Sequence, residues 1–302
     1  MSMERRQIKQ LYPDPVRLCD NKELEGQYGI IPDISYSAAG DMPKLSLIVP
    51  WKVLLGESEG ICRPLIVFIQ GSGWTTPDNH FQLPQMTQFA QAGYTVAMVV
   101  HRSFLDGYPA PAFLQDVKCA IRYLRKNASK YGIDPNRIGI WGTSSGAHIA
   151  QMVGLTAGAA EFHTEEYEEY SEEVSLVVSC FAPTDVSAAI RAIGISLGSS
   201  DDEKEIVRML LGDDPEKRNE LAAALSPVNR LEDGKIYPPF LIMHGDRDEL
   251  LDYETHFVRM YHKLCEHGVS VEAYAVENAP HEGSFWSREG YEVILSFIRK
   301  NL

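Results

Sequence analysis

The sequence has little that would suit it to charged polymers, to membranes or to disulfide stapling. Lys and Arg total 28 against 42 Asp and Glu, giving a formal net charge of −14. That balance repels phosphate backbones and anionic headgroups, so nucleic acid and membranes are excluded as main partners, and solubility is the plain consequence of the charge. Cysteine is sparse: Cys19, Cys62, Cys119, Cys180 and Cys265 are odd in number and form no C-x-x-C. A disulfide scaffold is thereby excluded and a reducing compartment fits. No apolar run follows Arg5 and Arg6, and none elsewhere has membrane-spanning length. Neither a signal peptide nor a transmembrane helix is expected, and the cytoplasm is the default location. H-E-x-x-H, G-x-G-x-x-G and G-K-[ST] are all missing. His262 and Cys265 make the one close helical pair of metal-ligand types, with no second pair to complete a site. No metal and no cofactor are expected.

What is present is a large apolar complement, 44% of 302 residues, in a regular rhythm. Polar residues 1–26, with Pro13 and Pro15, read as a surface arm. Ile34–Tyr36 and Leu45–Val49 flank the turn residues Ala39, Gly40 and Asp41 as a β-ribbon. Then apolar runs expected as buried strands (Leu65–Ile69, Thr95–Val100, Arg137–Trp141, Val174–Phe181, Phe240–His244, Val271–Val276) alternate with helical patterns. The helices are expected over Phe81–Ala92, Ala112–Lys130, Ser145–Leu155, Tyr253–His267 and Ser284–Lys300. Such alternation implies an α/β fold, a mostly parallel doubly wound sheet of about eight strands with helices on both faces. Residues 186–236 break the rhythm with two helical patterns, Asp201–Leu211 and Pro215–Leu225, and read as a small cap-like helical insertion in a single domain. The acidic run Glu165–Glu173 reads as a solvated helix face or loop.

The chemistry is signalled by Gly142-Thr143-Ser144-Ser145-Gly146. It follows an apolar strand, opens a small-residue helix and matches G-x-S-x-G. Small residues two before and two after the serine let strand and helix cross closely, leaving Ser144 exposed at the sheet's end. The Ser145 N–H, in the helix's first turn, can meet an oxyanion. A base and an acid should then follow at later strand ends. After Phe240–His244, the residues Asp246, Asp248 and Glu249 each qualify as the acid. After Val271–Val276 comes His281, in the position a catalytic base requires. His148, one turn from Ser144, reads as a packing residue, and His244 simply ends a strand. The loop Gln70-Gly71-Ser72-Gly73-Trp74, after an early strand, can turn backbone N–H groups toward a carbonyl. His80, farther along that loop, is a pocket-lining option.

These residues together resemble the α/β-hydrolase fold, and within it the esterase/lipase group with an H-G-G-G-W-type oxyanion loop. Acetylxylan and feruloyl esterase-like carbohydrate esterases and kynurenine formamidase stand near that group. Tyr131–Ile138, Pro183-Thr184-Asp185, Ser226-Pro227-Val228 and Pro238–Gly245 also match its pattern, from about Ile61 onward. The resemblance implies a Ser144–His281–Asp248 triad, its H-G-x-x-D placing the acid on Asp248. It implies oxyanion donors at Ser72, Gly73 and Ser145; Trp74 joins His80 as a candidate substrate contact. Gln70 and Ser72 depart from it, standing where the group has His and Gly, and His101 replaces a common Tyr. The expected activity is hydrolysis of short acyl esters, acetyl first and on carbohydrate or xylan-derived oligosaccharides as one option. The alternatives are a formamide or amide hydrolase and a non-catalytic small-molecule binder. The expected partner is a small ester, with a homo-oligomer left open.

Overall fold

The computed structural model of the chain describes residues 17–40, 43–197 and 200–302. Its strands are β1 (Tyr28–Ser35), β2 (Lys44–Pro50), β3 (Arg63–Ile69), β4 (Thr95–Val100), β5 (Ile133–Thr143), β6 (Leu176–Cys180), β7 (Phe240–Gly245) and β8 (Val271–Val276). They form a single eight-stranded sheet in the order β1-β2-β4-β3-β5-β6-β7-β8. β2 pairs antiparallel with β1 and β4, and every pair from β4 to β8 is parallel. The helices are α1 (Leu83–Gln91), α2 (Ala112–Lys126), α3 (Ser145–Leu155), α4 (Val186–Leu197), α5 (Ser200–Leu211), α6 (Pro215–Ala224), α7 (Arg259–Glu266) and α8 (Arg288–Asn301). The architecture is the mostly parallel, helix-covered sheet of an α/β-hydrolase.

The apolar runs of β3 to β7 are continuous because these central strands have a core on both faces. β8, expected as a buried strand, lies at the sheet's edge and has no fully buried residue. Along β3, Leu65, Val67 and Ile69 enter the core shared with α2 and α3. Ile66 and Phe68 enter the opposite core, with Phe89 of α1 and Ile294 and Phe297 of α8. Parallel strands all end at the same edge. The loops after β3, β5, β7 and β8 therefore meet there, and these are the loops that bear the candidate residues.

Several boundaries differ from expectation for local reasons. The helix expected over 112–130 stops at Lys126, where the Asn127 side-chain amide donates to Tyr123 O at 2.8 Å and competes with the helical pattern. One more turn, Ala128–Tyr131, ends at Gly132, which is left-handed at φ 63°. The helix expected over 253–267 begins with a π turn, Glu254–Val258, before α7. Residues 186–236 hold α4 ahead of the two expected helices; its sequence is mostly apolar and carries Gly194, with only Ser187 and Arg191 marking a narrow polar face. α6 starts where expected because Asp214 accepts from the amides of Glu216 and Lys217, with Pro215 at the first helical position.

The acidic run is less solvated than its composition suggests. Lys118 and Arg122 of α2 are fully buried, and Glu172, 6% exposed, lies 3.5 Å from Lys118 Nζ and 3.6 Å from Arg122 Nη1. Buried cations require a counter-charge, and the run supplies it. Glu166 also turns inward, accepting from Ser37 Oγ and the Ala38 amide. Most of the proposed surface arm, residues 1–16, lies outside the described residues, as does Asp41 of the expected turn; of 17–26, all but Leu24 are exposed. Among the described residues no helix is long and apolar enough to cross a membrane.

Candidate active site

The turn from β5 into α3 is as tight as the glycine spacing requires. Ser144 sits at φ 50°, ψ −123°, a region costly for any residue with a side chain. Its amide donates to Cys180 O at 3.0 Å, and its carbonyl accepts from the His148 amide at 3.0 Å. A Cβ on Gly142 would stand 2.1 Å from Gly146 O, and one on Gly146 would stand 2.2 Å from Ile69 O. Neither position has room for a side chain, so the elbow depends on both glycines.

Ser144 Oγ lies 2.9 Å from His281 Nε2, and His281 Nδ1 lies 2.7 Å from Asp248 Oδ2. A carboxylate only accepts, so the proton is assigned to Nδ1, leaving Nε2 to receive the serine proton. Asp248 Oδ1 accepts from the amides of Leu250 at 2.9 Å and Leu251 at 2.8 Å. Burial alone would raise the Asp248 carboxyl, but hydrogen bonds from His244 and His281 overcome it and hold the group well below its ordinary value. The loop bearing His281 approaches β7 closely: a Cβ on Gly245 would meet Ala279 O at 2.3 Å. The Phe181 ring packs edge-on against His281, centroids 4.8 Å apart. Of the other possible acids, Asp246 accepts from the Asn278 amide at 2.6 Å and ties down the histidine loop, while Glu249 is exposed.

The loop after β3 is fastened by side chains. Gln70 Oε1 accepts from the Asp78 amide at 2.7 Å. The Gly71 amide donates to Thr143 Oγ1 at 2.8 Å. The Ser72 hydroxyl donates to Thr75 O at 2.6 Å, and the Thr75 hydroxyl donates to Ser72 O at 2.6 Å. The Ser72 amide is committed to Ser145 Oγ at 2.9 Å. Of the three amides expected as oxyanion donors, those of Gly73 and Ser145 are the two with no hydrogen bond to the described residues.

Two expected substrate contacts are placed elsewhere. Trp74 is 2% exposed, and its indole N–H donates to His148 Nδ1 at 3.0 Å, so it anchors the loop from below. An aromatic beside glycines reads as a pocket wall, but here the polar atom that could greet a substrate is already bonded. His80 has an 87% exposed side chain beside Asp78. His148 packs as expected, with more specificity: its Nε2 donates to Leu225 O at 2.7 Å, while burial pulls its imidazole down to about 4. It thus links the loop after β3, the elbow helix and the C-terminal end of α6. His244 and Gln70 are polar groups of the site that sequence patterns did not single out for these contacts.

The profile of the BD-FAE family matches residues 53–264, a span that holds the oxyanion loop, the elbow and Asp248 and ends before His281. The chain is similar to esterase LipC of Mycobacterium tuberculosis, 28% identical over 195 residues, 63% of this chain and 46% of LipC. It is also similar to the probable carboxylic ester hydrolase LipM of that organism, 25% identical over 243 residues, 79% of this chain and 52% of LipM. The chain thus spans about half the length of the curated relatives it matches. Among solved structures, a truncated carbohydrate esterase from gut microbiota superposes with a TM-score of 0.75 at 24% identity, covering 93% of this chain and 98% of that one. The propionate-bound esterase Est2 of Thermogutta terrifontis gives 0.68 at 22% identity, covering 91% and 95%. Fold, elbow and the matched span agree: the chain belongs to the BD-FAE family of α/β-hydrolases.

Proposed function

We propose that the chain hydrolyses carboxylic esters of short acyl groups through an acyl-enzyme on Ser144. One observation carries the reading: the unbroken hydrogen-bonded line from a strained Ser144 through His281 to a buried Asp248. His281 takes the serine proton as Oγ attacks the carbonyl, and Asp248 fixes the imidazole tautomer and stabilises its charged form. The free amides of Ser145 and Gly73 receive the oxyanion, a contribution whose loss typically costs on the order of a hundredfold. His281 then returns its proton to the departing alcohol. Water enters next, loses a proton to His281, and releases the acid. Acetyl is the first acyl group to test and a carbohydrate hydroxyl the first alcohol. Fold relatives solved as a carbohydrate esterase and with propionate or butyrate bound give grounds for that order.

The test is p-nitrophenyl acetate hydrolysis with labelling by a fluorophosphonate. Wild type should turn over and be labelled, and Ser144→Ala should do neither. An alanine variant with the wild-type rate sinks the mechanism. Comparing acetate, butyrate and octanoate esters with acetylated xylo-oligosaccharides and N-formylkynurenine then separates the acyl and alcohol preferences from formamide hydrolysis.

A further inference from the structure

Asp248 Oδ2 receives two imidazoles. His281 Nδ1 stands 2.7 Å away, and His244 Nε2, on β7, stands 3.1 Å away. The same His244 nitrogen lies 3.0 Å from Leu251 O. A carbonyl and a carboxylate only accept, so His244 Nε2 carries the proton, which is hydrogen-bonded to Leu251 O and lies close enough to Oδ2 to favour its charge. With His281 on Oδ2 and the Leu250 and Leu251 amides on Oδ1, three hydrogen bonds and the His244 N–H surround a carboxylate whose side chain is wholly buried. We propose that His244 is a positioning residue, holding the Asp248 carboxylate ionised and oriented so that His281 is aimed at Ser144. The proposal rests on the reading of Ser144, His281 and Asp248 as a hydrolytic triad.

The surroundings of His244 argue that it is more than filling. Its ring packs against Tyr253, centroids 6.1 Å apart, and Phe257, 5.9 Å apart, a place an apolar side chain would occupy without needing an acceptor. The other titratable groups near it are engaged. Asp252, on the following loop, accepts from the Thr255 amide and hydroxyl. His256, on the π turn, accepts the Thr184 amide at 3.1 Å, and Asp185 beside it pairs with Arg259 at 2.9 Å. No other side chain among the described residues donates to Oδ2 besides His281.

Removing His244 takes a favourable N–H from the buried, charged Asp248 carboxylate, so its protonation moves to higher pH. His281 then loses its ionised partner earlier on acidification, and the acid limb of the kcat/KM profile moves upward.

The experiment compares wild type with His244→Phe, His244→Gln and His244→Asn on p-nitrophenyl acetate across pH. Each variant's downfield proton resonance from the His281–Asp248 hydrogen bond is followed by NMR. His244→Phe should lose about ten- to a hundredfold in kcat, with KM within about twofold and the acid limb raised by about one pH unit. Its downfield resonance should shift or broaden. Gln can place an amide N–H near the imidazole Nε2 and should recover rate and limb, whereas the shorter Asn should not. If the Phe variant fails to fold, the contrast between Gln and Asn carries the test. A Phe variant with the wild-type profile and resonance, or Gln no better than Asn, overturns the proposal. Ser144→Ala in the same assay tests the hydrolase reading separately, and the NMR signal decides the role of His244 even if that reading fails.

Discussion

A methyl group on Gly71 would be placed 2.7 Å from Ser144 Cβ and 2.7 Å from Thr143 O. Carbon contacts are favourable at about 3.5–4.0 Å, so relief of the clash requires a shift on the order of 1 Å. Neither neighbour is a flexible tip: one is backbone and the other is the root of the nucleophile. The loop cannot withdraw freely either, because the Gly71 amide donates to Thr143 Oγ1 at 2.8 Å. Either Ser144 or the adjoining oxyanion donors must move. A misplacement of about 1 Å in such a constellation costs about a hundredfold in rate. The expected result for Gly71→Ala is therefore a loss of about a hundredfold in kcat, with KM changing much less. Crowding of this kind also costs about 1–3 kcal/mol in stability. Gly73→Ala supplies the internal contrast. Its Cβ would meet nothing within 4 Å, but its φ of 62° imposes a left-handed conformation on the new side chain. That strain is about 1–2 kcal/mol, and the rate should fall by about tenfold or less. Steady-state kinetics on p-nitrophenyl acetate and urea unfolding measure both quantities. Gly71→Ala within about threefold of wild type, or Gly73→Ala as the more damaged enzyme, refutes the packing argument for the loop.

Acid stability should depend on His148. Burial lowers its imidazole from 6.5 to about 4, so the folded state binds its proton less readily than the unfolded chain does. The stability it contributes is complete above pH 6.5 and is lost as pH falls from 6.5 to 4, a difference on the order of 3 kcal/mol. His256, also lowered to about 4 by burial, acts in the same direction. His148→Gln should therefore weaken the protein at pH 7 yet flatten the decline of the urea midpoint on acidification by about half, and an unchanged slope would reject the assignment. Asp248→Asn should lower kcat by on the order of a thousandfold or more, with fluorophosphonate labelling slowed in parallel. A loss below tenfold would return the acid's role to another carboxylate, Asp246 first.

The sheet was legible because two-sided burial leaves long apolar runs, such as Leu65–Ile69, and because glycines punctuate them. The line from Ser144 to Asp248 was legible for a related reason. Each member follows a strand, and parallel strands deliver their ends to one edge whatever the sequence distance between them. Features set by partners far along the chain were not legible. Trp74 is turned inward by His148, 74 residues away, and nothing local distinguishes that posture from a pocket wall. α4 has only Ser187 and Arg191, four residues apart, to mark a narrow polar face in a mostly apolar sequence. Glu172 is exposed by composition and buried by the needs of Lys118 and Arg122, which themselves sit in an amphipathic pattern on α2. His244 opens the H-G-x-x-D pattern, but the pattern assigns the acid and says nothing of what its histidine touches. Its role in the site depends on the turn that folds Asp248 back over it.

The departures from the H-G-G-G-W pattern gain a physical reading from those same contacts. A glycine-rich loop must be held in shape by something other than its own side chains. Here Gln70 holds the Asp78 amide, Ser72 and Thr75 exchange hydroxyl bonds, and the Ser145 hydroxyl takes the Ser72 amide. The serine in place of glycine does not project its hydroxyl at the nucleophile, because Thr75 O already engages it. Each such bond is worth about 1 kcal/mol net, and together they stiffen a loop whose backbone must meet a developing charge without rearranging. The elbow cannot perform this task, since it fixes Ser144 and the Ser145 amide alone. Polar side chains at Gln70, Ser72 and Ser145 fix the loop that bears the Gly73 amide, so the proposed oxyanion site draws on residues that depart from the pattern as well as on those that match it.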